Sequence, residues 1–203
     1  MKRFFAAILI TLCFGVCFAS GNMKDICAML SERPITKGNF IQIKSVKTAK
    51  GSRELKSSGE FIFCPQGIMW KTLKPFPSSM IVGNDFIAQI SADGNKSVTD
   101  TSNNQTFASV AATISAVFSN DYEKLTASFN TELEVRADET TVIKLVPKDS
   151  TIASVISQID LLIQKNQISG IIMKEASGNS TSHSFENQTY PKLLTQEEQS
   201  LFN

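Results

Sequence analysis

The stretch that decides the fold is residues 38–77, GNFIQIKSVKTAKGSRELKSSGEFIFCPQGIMWKTLKPFP. It contains three segments in which apolar and polar side chains alternate, at residues 40–46, 55–63 and 68–73. Alternation with a period of two is typical of strands that bury one face. Glycine and proline, which mark turns, separate the segments. The stretch therefore predicts three consecutive antiparallel strands.

The same pattern of short strands and turns continues along the chain. Further strands are predicted at residues 79–82, 86–91, 97–101, 125–129, 133–136, 141–147, 158–165, 168–176 and 180–188. Residues 148–157 predict a turn of helix that leads into the strand at 158. Short strands with frequent turns favour a single antiparallel sheet of about eleven strands.

Two segments have the periodicity of a helix instead. Before the strands, apolar residues recur at Met23, Ile26, Cys27 and Leu30, and Pro34 ends the run. In mid-chain, apolar side chains share one helical face at Phe107, Val110, Ala111, Ile114, Val117 and Phe118. We therefore predict a mainly β protein with helices (α+β), in which one curved sheet is covered by helices.

The amino terminus has the features of a secretory signal peptide. A basic start, Met1-Lys2-Arg3, precedes the apolar run 4–18, and small residues follow from Ala19. We expect cleavage near Ala19, which defines residues 1–19 as the signal peptide and 20–203 as one exported domain. The protein is therefore expected in the periplasm.

Charge and aromatic content narrow the function classes. With 20 basic and 19 acidic residues the chain is almost neutral, so we expect no nucleic-acid partner. The chain has 14 Phe but one Trp and two Tyr. Such apolar surface with few polar groups suits either a filled core or a pocket for acyl chains.

The sequence offers little for catalysis or metal binding. Its one histidine, His183, lies in an alternating run where a solvent-facing position is expected. No nucleophile elbow, phosphate-binding loop, metalloprotease helix or Cys-x-x-Cys motif is present. We therefore predict no catalytic residues, no metal site and no cofactor, and a protein that is not an enzyme.

Four short motifs follow one another in the deciding stretch. They are G-x-F-x-Q at 38–42, SSG-x-F at 57–61, P-x-GI-x-W at 65–70 and KP-x-P at 74–77. The blocks LVPKD at 145–149 and 178–187, and a terminal Leu201-Phe202, add to them. In this order they resemble the LolA family of periplasmic lipoprotein carriers.

The resemblance implies an incomplete antiparallel barrel with a helical lid over a hydrophobic cavity. It further implies a carrier, expected to be a monomer, that binds the acyl chains of lipoproteins. An inner-membrane transporter would release the acylated lipoprotein to it, and an outer-membrane acceptor would receive the cargo. Two alternatives stay open: a LolA-like carrier of another lipid, such as a glycolipid, phospholipid or polyene-type product, and an exported β domain with a filled core.

The predicted cavity wall draws on apolar residues of the sheet and of the mid-chain helix. From the sheet these are Phe40, Phe61, Phe63, Ile68, Trp70, Ile81 and Phe86. From the lid they are Phe107, Val110, Ile114, Val117 and Phe118. For any single one of these residues the favoured interpretation is ordinary core packing, and only a cluster that faces an unfilled space would favour a carrier.

The two cysteines that follow the signal peptide are Cys27 and Cys64. An even pair in an exported protein is compatible with a disulfide, and two buried free thiols are the equal alternative. Cys64 also stands directly before Pro65, where the family often has an arginine that latches the lid. We therefore expect either a Cys27–Cys64 bond in place of that latch or a loss of lid control.

Overall fold

The computed structural model describes residues 22–83, 86–100, 116 and 121–202. These residues form eleven strands in one sheet. The strands are β1 Thr36–Thr48, β2 Gly51–Cys64, β3 Gly67–Lys74, β4 Ser78–Val82, β5 Phe86–Ile90, β6 Lys96–Asp100, β7 Phe129–Val135, β8 Thr141–Pro147, β9 Ile156–Gln164, β10 Gln167–Glu175 and β11 Ser180–Thr189. The predicted single sheet of about eleven strands is confirmed.

The sheet is antiparallel throughout and open. Its order is β6-β5-β4-β3-β2-β1-β11-β10-β9-β8-β7, with β6 and β7 at its two edges. Most neighbours are joined by a direct turn, but β1 also pairs with β11, which unites the two ends of the chain at the centre. The residues on β1–β3 and β11 therefore lie side by side in the middle of the sheet.

The described residues include four complete helices. They are α1 Met23–Ser31, α2 Tyr122–Ser128, α3 Ser150–Ala153 and α4 Gln196–Ser200. The predictions of α1 and of the turn of helix at α3 are confirmed. The short α4 was not predicted; a capping box between Thr195 and Glu198 begins it, and Glu198 also pairs with Lys37 of β1. No helix in these ranges is long and apolar enough to span a membrane.

One strand prediction is wrong. Residues 125–128 belong to the helix α2, and only Phe129 of the predicted strand 125–129 is in a strand. Asp121 caps this helix, because its side chain accepts a hydrogen bond from the backbone N–H of Lys124 at 3.0 Å. Leu125 and Phe129 stand four residues apart, a spacing that fits one turn of helix as well as one face of a strand.

The sheet carries an apolar cluster on each face. We call the face covered by α1 and α2 the inner face. Its inner cluster comprises Met23, Cys27, Leu30, Phe40, Phe61, Phe63, Ile68, Ala116, Leu125, Phe129, Ile143, Leu145, Ile156, Ile159, Leu161, Ile163, Ile168, Ile171 and Phe185. The outer cluster comprises Ile35, Ile62, Cys64, Met69, Ile81, Ala88, Leu194 and Phe202. Consecutive residues of β2 alternate between the two clusters, as a pleated strand requires.

Candidate ligand-binding site

Five aromatic rings meet on the inner face at the centre of the sheet. They belong to Phe40 on β1, Phe61 and Phe63 on β2, Trp70 on β3 and Phe185 on β11. Neighbouring ring centroids lie between 4.6 and 6.4 Å apart, and the rings are tilted or edge-on. Such angles are the favoured arrangement of aromatic pairs. We call these five residues the aromatic floor.

Strand register explains why these rings meet. Phe61 stands opposite Trp70, and Phe40 stands opposite Phe185. Residues directly opposite in antiparallel strands point to the same face, so both pairs point inward. The motifs at 38–42, 57–61 and 65–70 therefore contribute one ring each to a single surface.

Two motif glycines leave room beside the rings. Gly38 lies opposite Phe61, and Gly59 lies opposite Phe40. A Cβ at position 38 would lie 3.0 Å from Cε1 of Phe61 and 2.7 Å from the carbonyl oxygen of Glu186. At position 59 it would lie 1.9 Å from the carbonyl oxygen of Lys71. Glycine is therefore required at both positions by close packing, and each contributes to the aromatic floor indirectly.

A neutral polar pair borders the aromatic floor. His183 of β11 stands opposite Gln42 of β1, with 2.8 Å between His183 Nε2 and Gln42 Oε1. The imidazole lies 4.6 Å from the Trp70 ring and 5.9 Å from the Phe40 ring, between centroids. Burial lowers the pKa of His183 from 6.5 to about 4, so the ring is uncharged at neutral pH.

The expectation that His183 points to solvent is wrong. Its strand is oriented by Phe185, whose ring is buried in the inner cluster. His183 is two residues away and therefore points to the same face. That spacing was the signal in the sequence that could have placed this histidine inside.

Trp70 holds a polar atom that its surroundings do not satisfy. Its indole nitrogen Nε1 is buried and has no hydrogen-bond partner among the described residues. The ring itself is partly buried and packs against the inner cluster. A buried donor of this kind is rare in folded proteins and calls for an explanation.

The structure brings five of the seven predicted sheet residues together. Phe40, Phe61, Phe63 and Ile68 belong to the inner cluster, and Trp70 packs against it. Ile81 instead belongs to the outer cluster, and Phe86 packs against that cluster. Ile81 and Phe86 therefore lie on the outer face of the sheet, and their prediction as residues of the inner cavity wall is wrong.

The register of β4 and β5 explains the error. Ile81 stands opposite Met69, an outer residue, whereas Val82 stands opposite the inner residue Ile68 and next to Ile87. Val82 and Ile87 are both buried, and neither was among the predicted residues of the cavity wall. Met80, Ile81 and Val82 are consecutive apolar residues, so their pattern could not distinguish the two faces.

The predicted lid residues Phe107, Val110, Ile114, Val117 and Phe118 lie outside the described residues. Ala116 is the single described residue of that segment, and it is helical and buried in the inner cluster. The described helices over the inner face are α1 and α2. They contact the sheet through buried Met23, Cys27, Leu30 and Leu125.

The two cysteines do not pair. Cys27 on α1 and Cys64 on β2 are both free and buried. Cys27 belongs to the inner cluster and Cys64 to the outer cluster, so the sheet separates them. Burial raises the pKa of both thiols. Of the two alternatives, the structure therefore shows two buried free thiols and not a disulfide.

Polar contacts between the covering helices are weak. Lys24 Nζ of α1 lies 3.8 Å from Glu123 Oε1 of α2, and both side chains are exposed. Exposed ion pairs of this kind contribute at most about 1 kcal/mol. Apolar contacts with the sheet are therefore the main force that holds these helices in place. Within the described ranges, no three His, Cys, Asp or Glu side chains group as metal ligands.

Fold and site together define a class: an open antiparallel sheet with a helix-covered apolar inner face and an aromatic floor. Residues 35–199 match the family described as "Outer membrane lipoprotein carrier protein LolA". The chain therefore belongs to the LolA family. Proteins of this family are in general carrier or binding proteins.

Solved structures are similar to this chain at low sequence identity and with TM-scores below 0.5. The LolA superfamily protein NE2245 from Nitrosomonas europaea is 9% identical, with 91% of this chain and 98% of that chain covered and a TM-score of 0.48. A DUF1329 family protein from Desulfovibrio piger is 10% identical, with 85% and 93% covered and a TM-score of 0.45. A chain of the MucA/MucB complex from Pseudomonas aeruginosa is 10% identical, with 88% and 60% covered and a TM-score of 0.43. A search of curated protein sequences found no match.

Proposed function

We propose that this protein is a periplasmic carrier that binds the acyl chains of lipoproteins and moves them from the inner to the outer membrane. The observation that carries the proposal is the aromatic floor beneath α1 and α2, in a chain that belongs to the LolA family. The proposal includes removal of residues 1–19 as a signal peptide. It also includes a releasing transporter and an outer-membrane acceptor as partners.

The physical need for such a carrier follows from the cost of exposing acyl chains. Each methylene kept from water is worth about 0.8 kcal/mol. A lipoprotein with several long chains therefore cannot cross an aqueous compartment at a useful rate without shelter. A surface of Phe rings provides shelter without a fixed pattern of hydrogen bonds, which suits flexible chains.

The inner face also has the chemistry that such a ligand needs. Phe40, Phe61, Phe63 and Ile68 are all at most 5% exposed and lie on adjacent strands. An acyl chain that replaces the apolar side chains of α1 and α2 against these residues would offset, by its own burial, the cost of exposing those side chains. Because these helices are held mainly by apolar contacts, exchange of one apolar partner for another permits both uptake and release.

The experiment that tests the proposal is native mass spectrometry with lipid extraction of the domain 20–203, purified from a periplasm. A recovered triacylated peptide is the expected result. Recovery of a glycolipid or phospholipid instead would contradict the lipoprotein cargo and assign another lipid to the same site. A protein that stays empty when offered acylated peptides would contradict the carrier function itself.

A further inference from the structure

The indole N–H of Trp70 is a hydrogen-bond donor held in a fixed position within an apolar surface. The Trp70 ring is surrounded by His183, Phe40 and Phe63, at centroid distances of 4.6, 5.3 and 5.6 Å. These contacts fix the ring, and therefore the direction of its N–H bond. Nε1 nevertheless has no partner in the described part of the chain.

The neighbouring polar groups are already engaged with each other. Gln42 Oε1 and His183 Nε2 form their own contact at 2.8 Å. A buried donor without an acceptor costs free energy that an incoming acceptor recovers. The inner face therefore favours a ligand that brings a hydrogen-bond acceptor to Trp70.

The surroundings of Trp70 also limit the kind of acceptor. His183 is uncharged at neutral pH because burial lowers its pKa to about 4. Lys44, one inward position beyond Gln42 on β1, is 3.7 Å from Glu175 and is thereby paired. The charges of Lys44 and Glu175 offset each other and His183 is uncharged, so these groups present no net positive charge to an anionic headgroup. An uncharged carbonyl oxygen needs none.

We propose that Trp70 donates its indole N–H to the ester carbonyl oxygen of a bound acyl chain. This inference rests on the acyl-carrier function proposed above and names the polar group of the ligand that the site recognises. An ester carbonyl enters an apolar site together with its chain and loses its hydrogen bonds to water there. Trp70 replaces one of them. Because Nε1 is shielded from solvent, the carbonyl reaches it only when the side chains over Trp70 give way.

The test compares two ligands that differ only in their two ester carbonyl groups. One is a short peptide whose amino-terminal cysteine carries an S-glyceryl group with two ester-linked palmitoyl chains. The other carries ether-linked chains of the same length on the same glyceryl group. We expect the domain 20–203 to bind the ester-linked peptide about three to ten times more tightly. In Trp70→Phe, which keeps an aromatic ring and removes the N–H, the two peptides should bind equally.

Nuclear magnetic resonance provides a readout that does not depend on a variant. The chain has one tryptophan, so its ¹H–¹⁵N spectrum contains one indole signal. We expect the indole proton signal to move downfield when the ester-linked peptide binds, because a hydrogen bond deshields the proton. The ether-linked peptide should cause a smaller downfield shift or none.

The outcomes separate this inference from the proposed function. If both peptides bind the unsubstituted protein equally, the inference is overturned and the carrier function stands. If Trp70→Phe retains the full preference for the ester, the inference is also overturned. If neither peptide binds, the carrier function fails and the inference fails with it.

Discussion

His183 and Gln42 form a hydrogen-bonded pair across the junction that joins the two ends of the chain, with 2.8 Å between Nε2 and Oε1. The pair lies against Phe40 and Trp70, on the face that α1 and α2 cover. Both side chains remain uncharged there. Because the amide oxygen of Gln42 can only accept, His183 Nε2 donates this hydrogen bond. Protonation of the ring would keep the contact but would place a charge in a buried position, and this burial disfavours the charged imidazole.

The first prediction concerns the pH dependence of stability. Burial lowers the pKa of folded His183 to about 4, whereas the unfolded value is about 6.5. The unfolded chain therefore binds the proton first as the pH falls. The free energy of unfolding should decrease between pH 6.5 and pH 4, by at most about 3 kcal/mol, and level off below that range.

Urea unfolding at pH 7, 5.5 and 4.5 checks this prediction, with His183→Gln as the control. Glutamine does not titrate, so the variant should lack this part of the pH dependence, while its carboxylates still titrate. If the free energy of unfolding changed with pH to the same extent in both proteins, His183 would not have a lowered pKa.

The second prediction concerns the energetic coupling of this pair. Gln42→Leu should destabilise the fold by about 1 to 2 kcal/mol, because His183 loses its partner in a partly buried position. In a His183→Phe background the same change should cost less. A double-mutant cycle from urea unfolding measures the difference, and a coupling energy of zero would contradict a stabilising contact.

The third prediction concerns the thiols. The domain 20–203, purified without reductant and then denatured, should contain two reactive thiols, because Cys27 and Cys64 are buried on opposite faces. In the native state both should react slowly, since burial raises the pKa of each thiol. Titration with a thiol reagent before and after denaturation gives both results. The absence of reactive thiols in the denatured, unreduced protein would indicate a disulfide instead.

The fourth prediction concerns the room that Gly59 leaves beside Phe40. An alanine Cβ at this position would lie 1.9 Å from the Lys71 carbonyl oxygen, a backbone atom that cannot turn away. Gly59→Ala should therefore destabilise the protein by about 1 to 3 kcal/mol. Ser58→Ala, its neighbour on the outer face of the same strand, should change stability by less than about 0.5 kcal/mol. Equal effects in thermal unfolding would mean that the strands are less closely packed than described.

How much of the structure the sequence predicts depends on how regularly apolar and polar residues alternate in each strand. In residues 40–73 the strands and turns are evident, but 61–64 and 68–70 are consecutive apolar residues. The choice of Phe40, Phe61 and Trp70 for one surface therefore came with the family resemblance. In β4 three apolar residues are consecutive, and the pattern cannot choose between Ile81 and Val82. Partners across the sheet settle that choice, because Val82 stands opposite Ile68.

Other features depend on contacts that no local pattern contains. The separation of Cys27 from Cys64 follows from which face of β2 the helix α1 covers. The unsatisfied N–H of Trp70 depends on where five neighbouring rings come to lie. The strands and helices were therefore more predictable than the sheet face on which each side chain lies. The hydrogen bonding of Trp70 and His183 was the least predictable.

The fifth prediction uses adjacent residues of β2 to distinguish a binding surface from a core. Phe61 belongs to the aromatic floor, within 4.7 Å of Phe63 and Phe185 between centroids, and Ile62 belongs to the outer cluster. Both are at most 3% exposed, so Phe61→Leu and Ile62→Val should each destabilise the fold by about 1 kcal/mol. The carrier function predicts that only the inner change alters the affinity for acylated peptide, by about threefold or more, because only Phe61 contacts the ligand. Titration of both variants with the same acylated peptide measures this difference. Equal affinities, at equal losses of stability, would assign Phe61 to a filled core and would contradict a ligand on the aromatic floor.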